Sequence, residues 1–422
     1  MKDSKAFCLF PCLIVAFIVL FTSIVSSHAA TINATATAPD ILNGADGKCS
    51  LREAITNINN GATTYADCVP TGAYGANDAI NIPAGTYTIA IPGDDEDLNA
   101  TGDFDINKSV AIAGAGAETT IIDAKGIDRV LDIDTTQASG VDVSISGATI
   151  TGGVSDSWRG GGGIYNNGML TVTNCTISGN TEIDDNDGGG IFNNGTLTVT
   201  NATISGNDET DAAGGGIYNN GTATLTNTTI SGNKASSGGN GGGGIFNDGT
   251  LTVTNSTISG NTVGTAGSGG GISHQGGTVT LLNTIVASNT GGNCAAAIGA
   301  GTIGNGGNNI DDGTTCGWDS EKGSMSSTNP QLEALALNSP GTTQTHALKA
   351  GSPAIDGVTY NAPNSAPSTD QRGVPRPQGD RYDIGAYEYA QQPPPPAHVQ
   401  APALTEGGMI ILALLIWAGS IY

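Results

Sequence analysis

The chain has 422 residues, 65 of them glycine, with aromatic residues at 5% and 38 Asp plus Glu against 14 Lys plus Arg. So large an acidic excess argues against nucleic acid as a partner and leaves divalent cations, basic surfaces or plain solubility as its readings. Many glycines and few aromatics suit short strands and tight turns, not one large globular core.

Residues 1–29 read as a signal peptide: Lys2 and Lys5 supply charge, Phe7 to Val25 an apolar run, and Ser27-His28-Ala29 a small-residue cleavage site. Cys8 and Cys12 leave with it, so the mature chain keeps Cys49, Cys68, Cys175, Cys294 and Cys316. In an oxidising compartment the expected pairs, by proximity, are Cys49–Cys68 and Cys294–Cys316. Cys175 stands where the other repeats have Ala202, Thr228 and Ser256, and reads as a small buried spacer. No cysteine or histidine group has zinc spacing.

Residues 30–78 do not repeat and are read as an amino-terminal cap. Ser50-Leu51-Arg52-Glu53 forms a capping box, and Leu51, Ala54, Ile55 and Ile58 then share one helical face. Such a helix suits the open end of a strand stack, which otherwise exposes apolar side chains and unpaired backbone.

From residue 79 to 290 short β-prone runs alternate with Gly, Asn and Asp turns. Five versions of one text, beginning GGGIYNNGMLTVTNCTISGN, place Ile164, Ile191, Ile217, Ile245 and Ile272 at intervals of 27, 26, 28 and 27 residues. That period without a helical pattern predicts an all-β solenoid of short strands. Ile164 to Ile177, Ile191 to Ile204, Ile217 to Ile230 and Ile245 to Ile258 are each 13 residues apart, so one half of the coil is constant and the other carries the loops. Leu170 and Val172, Leu197 and Val199, and Leu251 and Val253 alternate with threonines, one face inward. Stacking then aligns Asn174, Asn201, Asn227 and Asn255 in one ladder, and Asn180, Asn207, Asn233 and Asn261 in a second. The Gly triplets and Asn-Gly pairs are expected to supply positive-φ turn positions.

Residues 291–390 break the period and are read as further coils and a closing segment. A Pro-rich linker follows at 391–402, then a hydrophobic tail at 403–422 whose apolar run, Met409 to Tyr422, is shorter than the ~20 residues that span a bilayer.

Several of these segments resemble one bacterial family. Asp46-Gly47-Lys48-Cys49-Ser50-Leu51-Arg52-Glu53-Ala54-Ile55 resembles the signature of exported proteins carrying the CSLREA domain, and Asp103-Phe104-Asp105-Ile106 and Gly126-Ile127-Asp128-Arg129-Val130 look like its early coils. The GGGIYN repeats are similar to right-handed parallel β-helices of the pectin-lyase fold, including polymorphic outer-membrane repeats. Gly351-Ser352-Pro353-Ala354-Ile355-Asp356, Thr369-Asp370-Gln371-Arg372-Gly373 and Asp383-Ile384-Gly385-Ala386-Tyr387-Glu388 resemble a closing segment before a surface anchor. Ala401-Pro402-Ala403-Leu404 resembles the opening of an exosortase-type sorting tail, without the usual Trp-Gly pair or basic cluster. The resemblance implies a secreted or cell-surface protein of a Gram-negative bacterium, with a sorting protease as one partner, and assigns no chemistry.

Pectin-lyase-fold enzymes carry an acidic calcium cluster facing an Arg or Lys base, or several Asp residues on adjacent coils. Hydrolase motifs of the GHG and RIK type are absent here, so no catalytic residue is assigned. Asp94, Asp95, Asp97, Asp103 and Asp105, with Glu96, form the densest acidic group: a candidate Ca²⁺ site or a solvated acidic loop. Glu182, Asp184, Asp185, Asp187, Asp208, Glu209 and Asp211 sit in adjacent variable loops and read as a solvated face or an anionic ledge for a basic partner. Tyr165, Phe192, Tyr218 and Phe246 recur once per coil, as a stacking platform for sugar rings or as a self-stacked ladder. The function this pattern suggests is a non-enzymatic adhesion or glycan-presenting scaffold with glycans or surface proteins as partners; the alternative is a polysaccharide lyase or hydrolase.

Overall fold

A computed structural model describes residues 29–35, 39–94, 96–136, 140–156, 159–184, 187–236, 241–265, 267–360 and 366–390. The leader at 1–28, the linker and tail at 391–422, Asp95 and Asp185 lie outside the described residues. Among those described, no helix is long and apolar enough to cross a membrane.

The chain winds into a parallel β-solenoid. One coil shows how: Ile191–Asn193 joins an eight-stranded sheet, Thr196–Thr200 a ten-stranded sheet, Thr203–Ser205 a nine-stranded sheet and Asp208–Glu209 a five-stranded sheet. Each strand pairs in parallel with its equivalent one coil on, residue for residue, as Leu197 does with Ala223. Apolar alternation decides the inside: Ile191, Leu197, Val199, Ala202 and Ile204 are all fully buried, in one core continuous with the neighbouring coils. Cys175 lies in that core, and its thiol is pushed up to about 11 by burial.

The inner ladders are hydrogen-bonded through their amides. Asn180, Asn207, Asn233, Asn261 and Asn289 each donate from or accept at the next at 2.9–3.0 Å. A third ladder was not expected: Asn166, Asn193, Asn219 and Asn247 bond in sequence at 2.7 Å each. Its signal was in the repeat text all along, as the Asn of every IYN or IFN. Asn207 is bonded both to its neighbours and to the Ile177 carbonyl, so Asn207→Ala leaves several buried polar groups unmet. We expect it to lower thermal stability by ~2 kcal/mol, read by denaturant unfolding, with no effect from the same change at exposed Asn220.

The turn chemistry differs from expectation. One left-handed corner of each coil is Asn174, Asn201, Asn227, Asn255 or Asn283, with φ between 48° and 54°, and a second is the Gly of each Ser-Gly-Asn, as at Gly206 with φ 63°. Asparagine tolerates that region through local hydrogen bonding. Within each Gly triplet only the first residue has positive φ, as at Gly188 with φ 85°. The second is required by space: a Cβ on Gly189 would lie 2.2 Å from the Asp208 carbonyl oxygen.

Helix α1 (Leu51–Asn60) covers the amino-terminal end. Its capping box is formed, with Glu53 N donating to Ser50 Oγ at 3.1 Å and Ser50 N to Glu53 Oε2 at 3.0 Å. Cys49 is bonded to Cys68 beside it, and Cys294 to Cys316 near the other end. Arg52, fully buried, forks onto both oxygens of Asp40 and donates to the carbonyls of Gly102 and Asp103. It thereby ties the cap to the loop that precedes Phe104.

The closing segment is not simply another set of coils. Strands Leu332–Leu337 and Gln344–Leu348 form an antiparallel hairpin, and the chain then runs back over the outer face of the nine-stranded sheet. Thr203 Oγ1 donates to the Gln344 carbonyl at 2.6 Å, Thr229 Oγ1 to Gln371 Oε1 at 2.6 Å, and Ala386 N to Thr257 Oγ1 at 3.1 Å. Those three threonines are buried, whereas Thr176, their uncovered equivalent one coil earlier, is half-exposed.

Candidate functional site

The outward residues of the eight-stranded sheet form one column. Parallel register stacks Asp105, Asp132, Tyr165, Phe192, Tyr218, Phe246 and Ser273, one per coil. Two carboxylates therefore head a run of four rings.

The rings stack on each other. Their centroids are 5.3, 5.0 and 4.7 Å apart and their planes 15°, 12° and 8° from parallel. Each inner face is covered by its neighbour, so between the four rings only edges remain for a ligand. Such pairs stabilise by ~0.5–1.5 kcal/mol each beyond the area they bury. The free face of Tyr165 looks toward Arg159, whose guanidinium carbon is 6.0 Å from the ring centroid.

The structure divides the expected acidic group. Asp94 is exposed, and Asp103 is buried in an ion pair with Arg129 at 2.8 Å. Glu96 caps its own loop, accepting from Leu98, Ala100 and Thr101 backbone N–H groups. Asp97 and Asp105 instead converge with Asp132, each offering a carboxylate oxygen within 4.8 Å of the others. Asp132 was missed, although the coil period places it: it follows Asp105 by 27 residues.

Two supports hold this cluster. Asn99 N donates to Asp105 Oδ2 at 2.7 Å while Asn99 Nδ2 donates to the Arg52 carbonyl at 2.8 Å, so the cap positions the loop. Arg159 bridges Asp97 at 2.8 Å and Asp132 at 3.1 Å. The other oxygens, Asp105 Oδ1 and Asp132 Oδ1, are buried without a partner. Burial pushes the Asp105 carboxyl up to about 8, against the Asn99 N–H, with Asp132 adding to the rise. Burial also raises Asp132, opposed by Arg129 and Arg159.

Three convergent carboxylates, two of them with an unmet oxygen, suit a hard divalent cation, which takes oxygen ligands at ~2.3–2.6 Å. Proton abstraction needs a base aimed at a substrate. Here Arg129 is held by Asp103 and the Gly160 carbonyl, and Arg159 by Asp97 and Asp132. His346 is bonded between Ser231 Oγ and the Glu333 carbonyl, far along the solenoid.

The second acidic set divides between buried and exposed residues. Glu182 and Glu209 are fully buried, which overturns the reading of them as a solvated face. Asp184 is exposed, Lys234 pairs with Asp208 at 3.1 Å, and Asp187 accepts from Ala213 N at 3.0 Å.

No family model matches the chain, and no curated protein matches it. A solved structure, the crystal structure of pectate lyase Pel9A, is similar, with 17% identity, a TM-score of 0.47 and coverage of 86% of this chain and 98% of that one. At that level the likeness assigns no activity.

Proposed function

We propose that the chain is a non-catalytic, exported β-helix scaffold that presents ligands from its loops, with a divalent cation held by Asp97, Asp105 and Asp132. One observation carries the reading: Asp105 Oδ1 and Asp132 Oδ1 are buried and unpartnered in a cluster whose arginines are already engaged by carboxylates. Ca²⁺ is the candidate ion, because the donors are all hard oxygens. Export is supported by the Cys49–Cys68 and Cys294–Cys316 bonds, which persist in oxidising compartments. Display at a cell surface, with glycans or surface proteins as partners, fits an outer face of Thr196, Thr198 and Thr200 and their equivalents on the next two coils.

The test is a calorimetric Ca²⁺ titration and Tb³⁺ luminescence on the whole chain. Asp132→Asn is expected to weaken binding at this cluster by ~10–100-fold, and unchanged affinity would sink the cation site. A polysaccharide-lyase reading draws on the same carboxylates beside Arg159. Release of unsaturated sugars from a polyuronate panel with Ca²⁺ would establish that reading in place of ours; we expect none. A glycan array with and without Ca²⁺ then identifies the ligand class.

A further inference from the structure

We infer that the buried column beneath the loops of the five-stranded sheet holds a second, separate divalent-cation site, formed by Glu182 and Glu209 with Ser155 beside Glu182, on three successive coils.

The five-stranded sheet is built of two-residue strands: Val154–Ser155, Thr181–Glu182, Asp208–Glu209, Lys234–Ala235 and Thr262–Val263. Their second residues stack in register, and all five are buried. This column changes character part-way: Ser, Glu and Glu on the first three coils, then Ala235 and Val263. A coil can therefore close with a small apolar residue here, and glutamate is not a requirement of the fold.

Each glutamate spends one oxygen on its own loop. Glu182 Oε1 accepts from Asp184 N at 3.2 Å, and Glu209 Oε1 from Asp211 N at 2.7 Å and from Ala212 N. The other oxygens, Glu182 Oε2 and Glu209 Oε2, are buried with no partner, and so is Ser155 Oγ. Ser155 is the independent pointer: its hydroxyl is fully buried and unmet, and register sets it next to Glu182 in the same column. Among the described residues neither glutamate takes part in an ion pair. Unpaired buried carboxylates are costly, so each must hold a proton or share a cation.

Spacing favours the cation. Adjacent coils lie ~4.8 Å apart, which is about twice a Ca²⁺–oxygen distance of ~2.4 Å. An ion midway between the two levels then reaches Glu182 and Glu209, and the Ser155 hydroxyl lies one coil beyond Glu182 at the end of the same column. Burial first, and then like-charge neighbours including Asp187, push the empty carboxyls up, Glu182 to about 8 and Glu209 to about 7. Filling the site must accordingly release protons near neutral pH.

The experiment is a Ca²⁺ titration of the whole metal-stripped chain at pH 7 and 8 in two buffers of different ionisation enthalpy, beside a thermal melt. Wild type is expected to take up one ion more than Glu182→Gln/Glu209→Gln does, with proton release at pH 7. Asp132→Asn should leave that uptake intact, which separates this site from the cluster on the outer face. Should the double Gln variant fold poorly, Glu209→Ala serves instead, since Ala235 fills the same slot in the next coil. The inference is overturned if the glutamate variants keep every ion and the same Ca²⁺-dependent rise in melting temperature. It is overturned equally if Ca²⁺ leaves wild type unchanged while the Gln variant melts higher at pH 8, the sign of carboxyls that simply hold protons.

Discussion

Arg376→Ala is expected to lower stability by ~3–5 kcal/mol and to detach the closing segment from the solenoid. Arg376 and Glu388 form an ion pair at 2.9 Å in which both side chains are 0% exposed. The same guanidinium donates to the carbonyls of Asp383 and Gly385, so it fixes the backbone that reaches Thr257 and Asn283. Removing it leaves Glu388 buried and uncompensated, which costs more than the pair itself contributed. Beside it Arg372 bonds Asp370 at 2.7 Å and lies 3.5 Å from the Tyr387 ring centroid. The measurement is denaturant unfolding together with amide exchange. Thr203, Thr229 and Thr257 should lose protection while the Asn207 ladder keeps it. Unchanged exchange at those threonines would show that the segment is held by its apolar contacts, Ala354, Val358 and Ile384 against Ile285, and not by the arginine.

The coil was legible because its period is written in single residues. Ile191, Leu197, Val199 and Ile204 recur often enough to fix which side faces in, and Ser50 with Glu53 marks the cap by a local hydrogen-bond pattern. The closing segment was legible as a boundary but not as a strap. Its contacts join residues as far apart as Thr203 and Gln371, and nothing periodic announces them. Glu182 and Glu209 were misplaced for a different reason: a two-residue strand shows no alternation, so their burial cannot be read from neighbours. At the outer cluster the acidic density around Asp97 and Asp105 was visible. Asp132 was hidden because it lies one coil away in sequence, and only register brings it to Asp105. Arg52 sits inside the cap signature, yet its role as the link between helix and first coils depends on Asp40 and on carbonyls some fifty residues on.

The closing segment should also weaken as pH rises, and Asp383 is the reason. The strap buries three carboxylates, Asp370, Asp383 and Glu388, against two guanidiniums, Arg372 and Arg376. Asp370 and Glu388 take the arginines, which leaves Asp383 one positive charge short. Burial, with Glu388 adding repulsion, pushes its carboxyl up from 3.8 to about 7, against the backbone N–H groups of Tyr389 and Asp356. The folded chain thus holds a proton that the unfolded chain has lost between those two values. Its stabilising contribution is complete below 3.8, falls with pH across that window and is gone above about 7. For one carboxyl that amounts to something on the order of 4 kcal/mol. Asp128 and Asp187, each raised to about 6 by burial, slope the same way, so the metal-free chain should be more stable near pH 5 than near pH 8. Asp383→Asn isolates the strap's share. It forfeits one backbone hydrogen bond at low pH, since an amide cannot accept on both sides, but it should flatten the profile, and the gap to wild type should close as pH rises. A wild-type stability that climbs steadily from pH 5 to 8 in chelator would mean that Asp383 stays ionised and that Arg376 serves both acids at once.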